Sequence, residues 1–224
     1  MKKTRRTKDE GMVQAAGGRS SWKVKLVLLF CWVFLVLYPL PWLLAVSMYR
    51  LYRPPLDSVV VTEMAEQMQG KTAAEIEAFV YQALPYRFDW EVHGMPWYFP
   101  TLDEALKKGY GDCKARYLLF VSLLENMNIP YEQRISPTHI WVDYEGKNST
   151  PVENAQVTLR KVDQHGVAKW QLPRIDLARS WNSFVQGFWE VMPLSRKITM
   201  VVGIPVVLAA TSLSAHNRNI VLPP

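Results

Sequence analysis

The hydrophobic and polar pattern of the chain is dominated near its start by an uncharged run of 24 residues, Leu26 to Tyr49 (LVLLFCWVFLVLYPLPWLLAVSMY). At about 1.5 Å rise per residue such a run reaches roughly 36 Å, longer than the roughly 30 Å hydrocarbon core of a bilayer, and it reads as a membrane helix. A cleaved signal peptide would have an apolar region of roughly 7 to 15 residues ending at a small-x-small site. This run is longer and ends in Ser47, Met48, Tyr49 and Arg50, which favours an anchor. Pro39 and Pro41 are expected to kink the span, and Trp32, Trp42 and Tyr49 suit interfacial depth. A second uncharged segment of 18 residues, Ile198 to Ala215, contains Gly203 and Pro205 and follows Arg196 and Lys197. It reads as a second span, with a buried core helix or a re-entrant segment as the other readings. Between Pro173 and Met192, Ile175, Ala178, Trp181, Val185, Phe188 and Met192 recur at helical spacing. That is an amphipathic helix, facing either the core or the membrane surface.

The stretch between the spans has a different texture. Thr62 to Met68 and Thr72 to Leu84 read as helices around Gly70, the second opened by a capping box, Thr72-Ala-Ala-Glu75. After a tract of aromatic and turn residues come a short helix, Leu102 to Lys107, and a break at Gly109-Tyr-Gly-Asp112. The most regular helix follows, Cys113 to Met127, with Tyr117, Phe120, Val121 and Leu124 on one stripe. Tyr131 to Ile135, His139 to Tyr144 and Val157 to Val162 read as strands. Helices followed by strands predict an α+β domain over residues 50–172, joined by the amphipathic segment 173–197 to the second span at 198–215 and a tail at 216–224.

With 49% hydrophobic residues in a chain of 224, a disordered, collagenous or fibrous protein is excluded. The formal charge of +6 does not indicate a nucleic-acid partner, because residues 1–25 hold eight bases and two acids and the remainder balances. The excess belongs to a basic tail before the first span, whereas only Arg50 and Arg53 follow it closely. By the positive-inside rule the tail is expected to be cytoplasmic and the domain extracytoplasmic in an integral membrane protein, with the lipid bilayer as its first partner.

Candidate chemistry begins with the cysteines. Cys31 lies in the first span, so Cys113 is alone in its domain, either inert and buried or reactive. Its place at a helix start after Gly111-Asp112, with Lys114 and Arg116 nearby, favours reactivity, because a helix N-terminus stabilises a thiolate. A thiolate nucleophile needs an imidazole and a group to orient it. Of His93, His139 and His165, His139 is best placed, at the start of a strand where Trp141 and Asp143 share its face. A hairpin through Glu145-Gly-Lys-Asn148 would bring Glu153 or Asn154 beside it. His93 and His165 read as solvent-exposed or locally bonded.

These motifs, GYGDCKARYLLFVSLLENMNIPYEQR, THIWVDYEGK and PVEN in that order, resemble the transglutaminase-like core of the papain-like cysteine protease and transglutaminase superfamily. Trp97-Tyr-Phe-Pro-Thr-Leu-Asp-Glu-Ala-Leu also looks like the family's lead-in to its cysteine. The resemblance covers roughly residues 80–160 and neither apolar segment. It implies helices preceding an antiparallel sheet, Cys113 as nucleophile, His139 as general base and acid, and an acid on the following strand at Glu153. The chain departs from the family pattern at Glu153, where Asp is usual, and at Asn128, where Gly is usual. Asn154 and Asp143 stand as alternative orienting groups, and Trp97 and the Cys113 amide as oxyanion donors. No metal or other cofactor is expected, since the histidines are widely spaced, Cys-x-x-Cys is absent and Gly109-Tyr-Gly111 is a turn.

The implied function is a membrane-anchored cysteine enzyme that attacks amide bonds through a thioester. Hydrolysis, as by a protease or amidase, is preferred to transglutaminase cross-linking, with a protein or peptide near the membrane as substrate. The contrasting reading is a non-catalytic binding or accessory subunit of a membrane complex, with a membrane-protein partner.

Overall fold

The computed structural model describes residues 9–218 except Ile175, with side chains from Trp22 to Ser212. The chain divides into two compact units, residues 42–192 and the flanking segments up to Pro41 and from Pro193.

The flanking unit is a helix pair, α1 (Asp9–Leu37) and α9 (Leu194–Arg218), packed side by side. A Cβ on Gly203 would come within 2.2 Å of the Trp32 indole, so only glycine lets the ring lie against α9. Lys25 Nζ donates to Ser212 Oγ at 3.0 Å. Apolar side chains such as Val27, Phe30, Val202 and Val206 point outward. Leu194–Ser212 is a helix long and apolar enough to cross a membrane.

The uncharged run at 26–49 is not one helix. α1 stops at Leu37, the chain breaks over 38–40, and α2 (Pro41–Tyr52) begins a new helix; Trp22–Leu37 and Pro41–Tyr52 reach spanning length only together. Proline is the cause. Pro39 disfavours helical backbone at Tyr38, and Pro41 has no N–H to bond the Leu37 carbonyl. The break frees carbonyls at the end of α1, and the Arg196 guanidinium donates to one of them, Val36 O, at 2.9 Å.

The central unit is α+β. After α2 come α3 (Thr62–Gln67), α4 (Ala73–Ala83), α5 (Asp89–His93), α6 (Leu102–Lys108) and α7 (Cys113–Asn126), then β1 (Glu132–Ile135), β2 (Ile140–Asp143), β3 (Arg160–Asp163) and β4 (Ala168–Trp170), and finally α8 (Leu177–Phe184) running into a π-helical turn, Val185–Glu190. The sheet is antiparallel in the order β2-β1-β3-β4, with Ile135 paired to Ile140 and to Arg160. The capping box at Thr72 forms: Glu75 N donates to Thr72 Oγ1 at 3.3 Å and Thr72 N to Glu75 Oε2 at 2.8 Å. A second box at Thr101 and Glu104 starts α6 in the same way.

Helix α7 is the centre of the core. Beyond the expected stripe it also buries Leu118, Leu119, Ser122 and Leu123, because α3, α4 and α6 pack on it from one side and β2 from another. Asn128 ends it at φ 56°, with Ile129 N bonded to Leu124 O at 2.9 Å and Asn128 N to Glu125 O at 3.1 Å. The residue in the left-handed position is the asparagine, which tolerates it better than most side chains.

The amphipathic segment is helical from Leu177; Ile175 lies outside the described residues. Its first half does not face the core, since α8 buries none of its residues, with Leu177 78% exposed and Trp181 66%, whereas Met192 at its end is buried. On α8 the exposed Arg179 reaches the loop at Pro151, its Nη1 donating to Pro151 O at 2.9 Å. The widened π turn then carries Phe188 onto the rings of Trp90 and Trp97, at 5.9 and 5.8 Å between centroids.

Candidate active site

The approach to Cys113 is shaped by Gly111 and Asp112. A Cβ on Gly111 would lie 2.4 Å from that of Ala115, so only glycine lets the chain enter α7 this closely. Gly111 also bridges to the segment after α4, with Arg87 N donating to Gly111 O at 3.0 Å. Asp112 caps the helix, its Oδ1 accepting from Lys114 N at 2.9 Å. Cys113 therefore stands half-buried in the first turn, where the helix dipole favours negative charge.

His139 sits at the end of the tight β1–β2 connection, which Ser136 closes: Ser136 N donates to His139 O at 2.8 Å and His139 N to Ser136 Oγ at 3.0 Å. Its ring stacks on Trp141 at 5.8 Å, and Nε2 lies 2.8 Å from Glu153 Oε1. The ring shares its clefts with the Cys113 side chain, which also acts on its charge. Burial works against the charged ring, but the interactions with Cys113 and Glu153 outweigh it and raise His139 from its usual 6.5 to about 10.

Glu153 reaches His139 from a loop, not from the following strand as the family resemblance implied. Glu153 and Thr150 exchange backbone hydrogen bonds of 3.2 Å, and Glu153 N also donates to Thr150 Oγ1 at 3.0 Å. Lys147 Nζ, nearly buried, holds the other carboxylate oxygen, Oε2, at 3.0 Å; it also bonds Glu77 Oε1 and Val142 O, each at 2.8 Å. Burial alone would raise Glu153, but its bonds to His139 and Lys147 hold it below the usual carboxylate value. Both oxygens are thus fixed, so the flexibility of the longer Glu side chain is taken up by its partners.

The alternative orienting groups are committed elsewhere. Asp143 pairs with Arg134 Nη2 at 2.6 Å. Asn154 builds the loop instead, its Nδ2 donating to Thr150 O at 2.9 Å and its Oδ1 accepting from Gln156 N at 2.9 Å. Trp97 stands beside the site, 60% exposed and held at φ 51°, a left-handed backbone rare for a bulky residue. His93 is not solvent-exposed: its ring packs 4.2 Å from that of Tyr98, and burial lowers it to about 4. His165 is exposed in a turn, 3.4 Å from the Gln164 amide.

The sequence reading passed over two further groups. Lys147 lay in a segment read only as a turn, where a lysine is ordinarily solvated. The other is the cluster beneath Cys113, in which the buried Lys114 ammonium bonds both Asp112 and, at 2.8 Å, Asp89. Burial penalises the Lys114 charge, yet Asp112 and Asp89 outweigh that penalty and hold it well above its ordinary value. Burial, together with the charge of Asp112, pushes Asp89 up to about 7.

Three clefts meet at Cys113 and His139. One of about 110 Å³ carries Glu77, Tyr81, Arg116 and Glu153. A wider one of about 360 Å³ has Asp89 and Lys114 on one side and Trp97, Phe184 and Phe188 on another. The third, about 270 Å³, has Leu44, Met48 and Leu51 of α2 on its wall and is mostly apolar. No family model, curated protein or solved structure matches the chain.

A pH dependence of stability follows from His139. Its value is raised on folding, so its contribution is complete below about 6.5 and is lost as pH rises towards 10. Thermal melts between pH 6.5 and 10 are expected to show wild type losing stability relative to His139→Gln, with a slope of at most about 1.4 kcal/mol per pH unit. A difference that is constant across this window contradicts the protonated ring.

Proposed function

We propose that this chain is a membrane-anchored cysteine enzyme of the transglutaminase-like fold that cleaves acyl bonds through a thioester on Cys113. The observation that carries this reading is His139, which shares three clefts with Cys113 and is bonded at 2.8 Å to a Glu153 carboxylate that Lys147 fixes in place. Nucleophile, proton carrier and orienting acid stand in the order that thiol catalysis requires.

In the proposed cycle the proton rests on His139 and the Cys113 sulfur attacks the substrate carbonyl. The tetrahedral oxyanion forms beside the amides that open α7, with Trp97 on the other side of the cleft. The carbon–nitrogen bond breaks, and the leaving amine takes its electron pair and the His139 proton. Water then attacks the thioester while His139 accepts its proton, and the sulfur leaves with the acid released. Hydrolysis is favoured over transfer to an amine because the three clefts are open to solvent, so water reaches the thioester.

The anchor would be α9 with the α1 half of the bent pair, the basic tail on the cytoplasmic side and the central unit, to which α2 belongs, outside. Substrates would then be proteins or peptides close to the bilayer. Incubation with p-nitrophenyl acetate and intact-mass analysis tests the chemistry. With Cys31 replaced by alanine throughout, a single acetyl adduct is expected that is absent in Cys113→Ala, decays with time, and decays no faster when a primary alkylamine is added. A protein that never gains the adduct is a binding module, and decay accelerated by the amine makes it a transferase.

A further inference from the structure

The third cleft at the sulfur indicates what the substrate places there. Leu44, Met48 and Leu51 of α2 line it with Trp97, Phe99 and Ile140, the β1–β2 connection adds Ser136 and Thr138, and Cys113, Lys114 and His139 complete it. Phe99 and Ile140 are buried and form its floor, whereas Met48 is 48% exposed at its rim. The one polar side chain that α2 contributes, Ser47, is buried and turned inward, its Oγ accepting from Phe99 N at 3.1 Å. It is therefore spent on the fold. The other two clefts carry carboxylates, Glu77 and Glu153 in one and Asp89 and Asp112 in the other, whereas the third has none; its lysine, Lys114, is held by Asp89 and Asp112.

A group that fills this cleft must be apolar, because a polar one would lose its water and find no side-chain partner along the α2 wall. It must also be attached close to the reacting carbonyl, because Cys113 and His139 line the cleft. At about 270 Å³ the cleft is smaller than the roughly 300 Å³ at which pockets for drug-sized ligands begin. That suits one bulky side chain rather than a folded lipid tail. Resting on the reading of Cys113 and His139 as the reacting pair, we infer that this cleft is a specificity subsite for a bulky aliphatic or aromatic side chain on the acyl side of the scissile bond.

The test compares p-nitrophenyl esters of acetic, 4-methylpentanoic, 3-phenylpropanoic and dodecanoic acids on the full-length protein, following acylation of Cys113 by intact mass. Each buried methylene favours the bound group by about fourfold, so the branched and aromatic esters are expected to acylate at least tenfold faster than acetate. In Met48→Gln and Leu44→Gln that ratio is expected to fall to about three or less. Taking the ratio within one variant cancels any loss of folded protein and any partitioning into detergent. Equal rates for all esters in wild type overturn the inference, as does a ratio unmoved by both substitutions. An advantage confined to dodecanoate also overturns it, since the occupant is then a lipid chain. Failure of every ester including acetate, by contrast, removes the reacting pair itself.

Discussion

Replacement of His139 with alanine is expected to slow alkylation of Cys113 by iodoacetamide about 100-fold at pH 7, the lower end of what a positioned acid–base group contributes. The reasoning starts from the proton. His139 is raised to about 10, so between pH 6 and 9 the ring keeps its charge beside the sulfur. The wild-type rate should therefore change little across this range. Without the ring, the sulfur keeps the helix N-terminus and the more distant Lys114 and Arg116 cations but loses its proton partner, and the rate should climb with pH. The exposed Cys31 reacts too and is replaced by alanine in every variant compared. Structural damage from the substitution would lower or raise the rate without creating a new pH dependence, so the profile separates the two. A pH-independent rate in His139→Ala, or a steep one in wild type, overturns the coupled pair.

The contrast between Thr72 and Lys147 shows what a sequence can disclose. The Thr72 cap was legible because its role is local: a capping box binds the amide three residues on, so spacing alone defines it. Cys113 and His139 were legible for a related reason, since a helix start and a strand start fix where their side chains emerge. Glu153 meets His139 from a loop, because the PVEN segment closes on itself through Thr150 and Asn154 and no alternating pattern marks such a turn. Lys147, Asp89 and Glu77 meet their partners only through tertiary packing, and each sits in a stretch where a charge is ordinarily solvated. The break at 38–40 was underestimated for a different reason. A count of uncharged residues registers hydropathy, whereas the missing N–H of a proline acts on the backbone. Helix α5 was hidden too, five residues inside an aromatic tract where neither helical nor strand period has room to repeat.

Lys147→Met is expected to be the most damaging substitution outside the Cys113–His139 pair. Lys147 Nζ lies within 3.0 Å of Glu77 and Glu153, and all three side chains are largely buried. Removing the cation leaves two carboxylates facing each other with no positive charge between them, and breaking a buried pair of this kind costs about 3–5 kcal/mol. At roughly 2–4 °C per kcal/mol for a domain of this size, the melting temperature should fall by about 10 °C. Stability alone would not distinguish an inert clamp from a functional one, so chemistry supplies the second readout. Freed of Lys147, Glu153 loses the contact at Oε2 that fixes its Oε1 on His139, and the imidazole loses its orientation. Acetyl transfer to Cys113, measured per folded molecule well below the new melting point, should drop at least tenfold and recover in part in Lys147→Arg, whose guanidinium reaches the same two carboxylates. Lys147→Met combined with Glu77→Gln should regain much of the melting temperature, because one of the unpaired charges is gone, without regaining the acylation rate. If the double variant recovers both together, Lys147 acts on stability alone, and the position of Glu153 is set by its own loop.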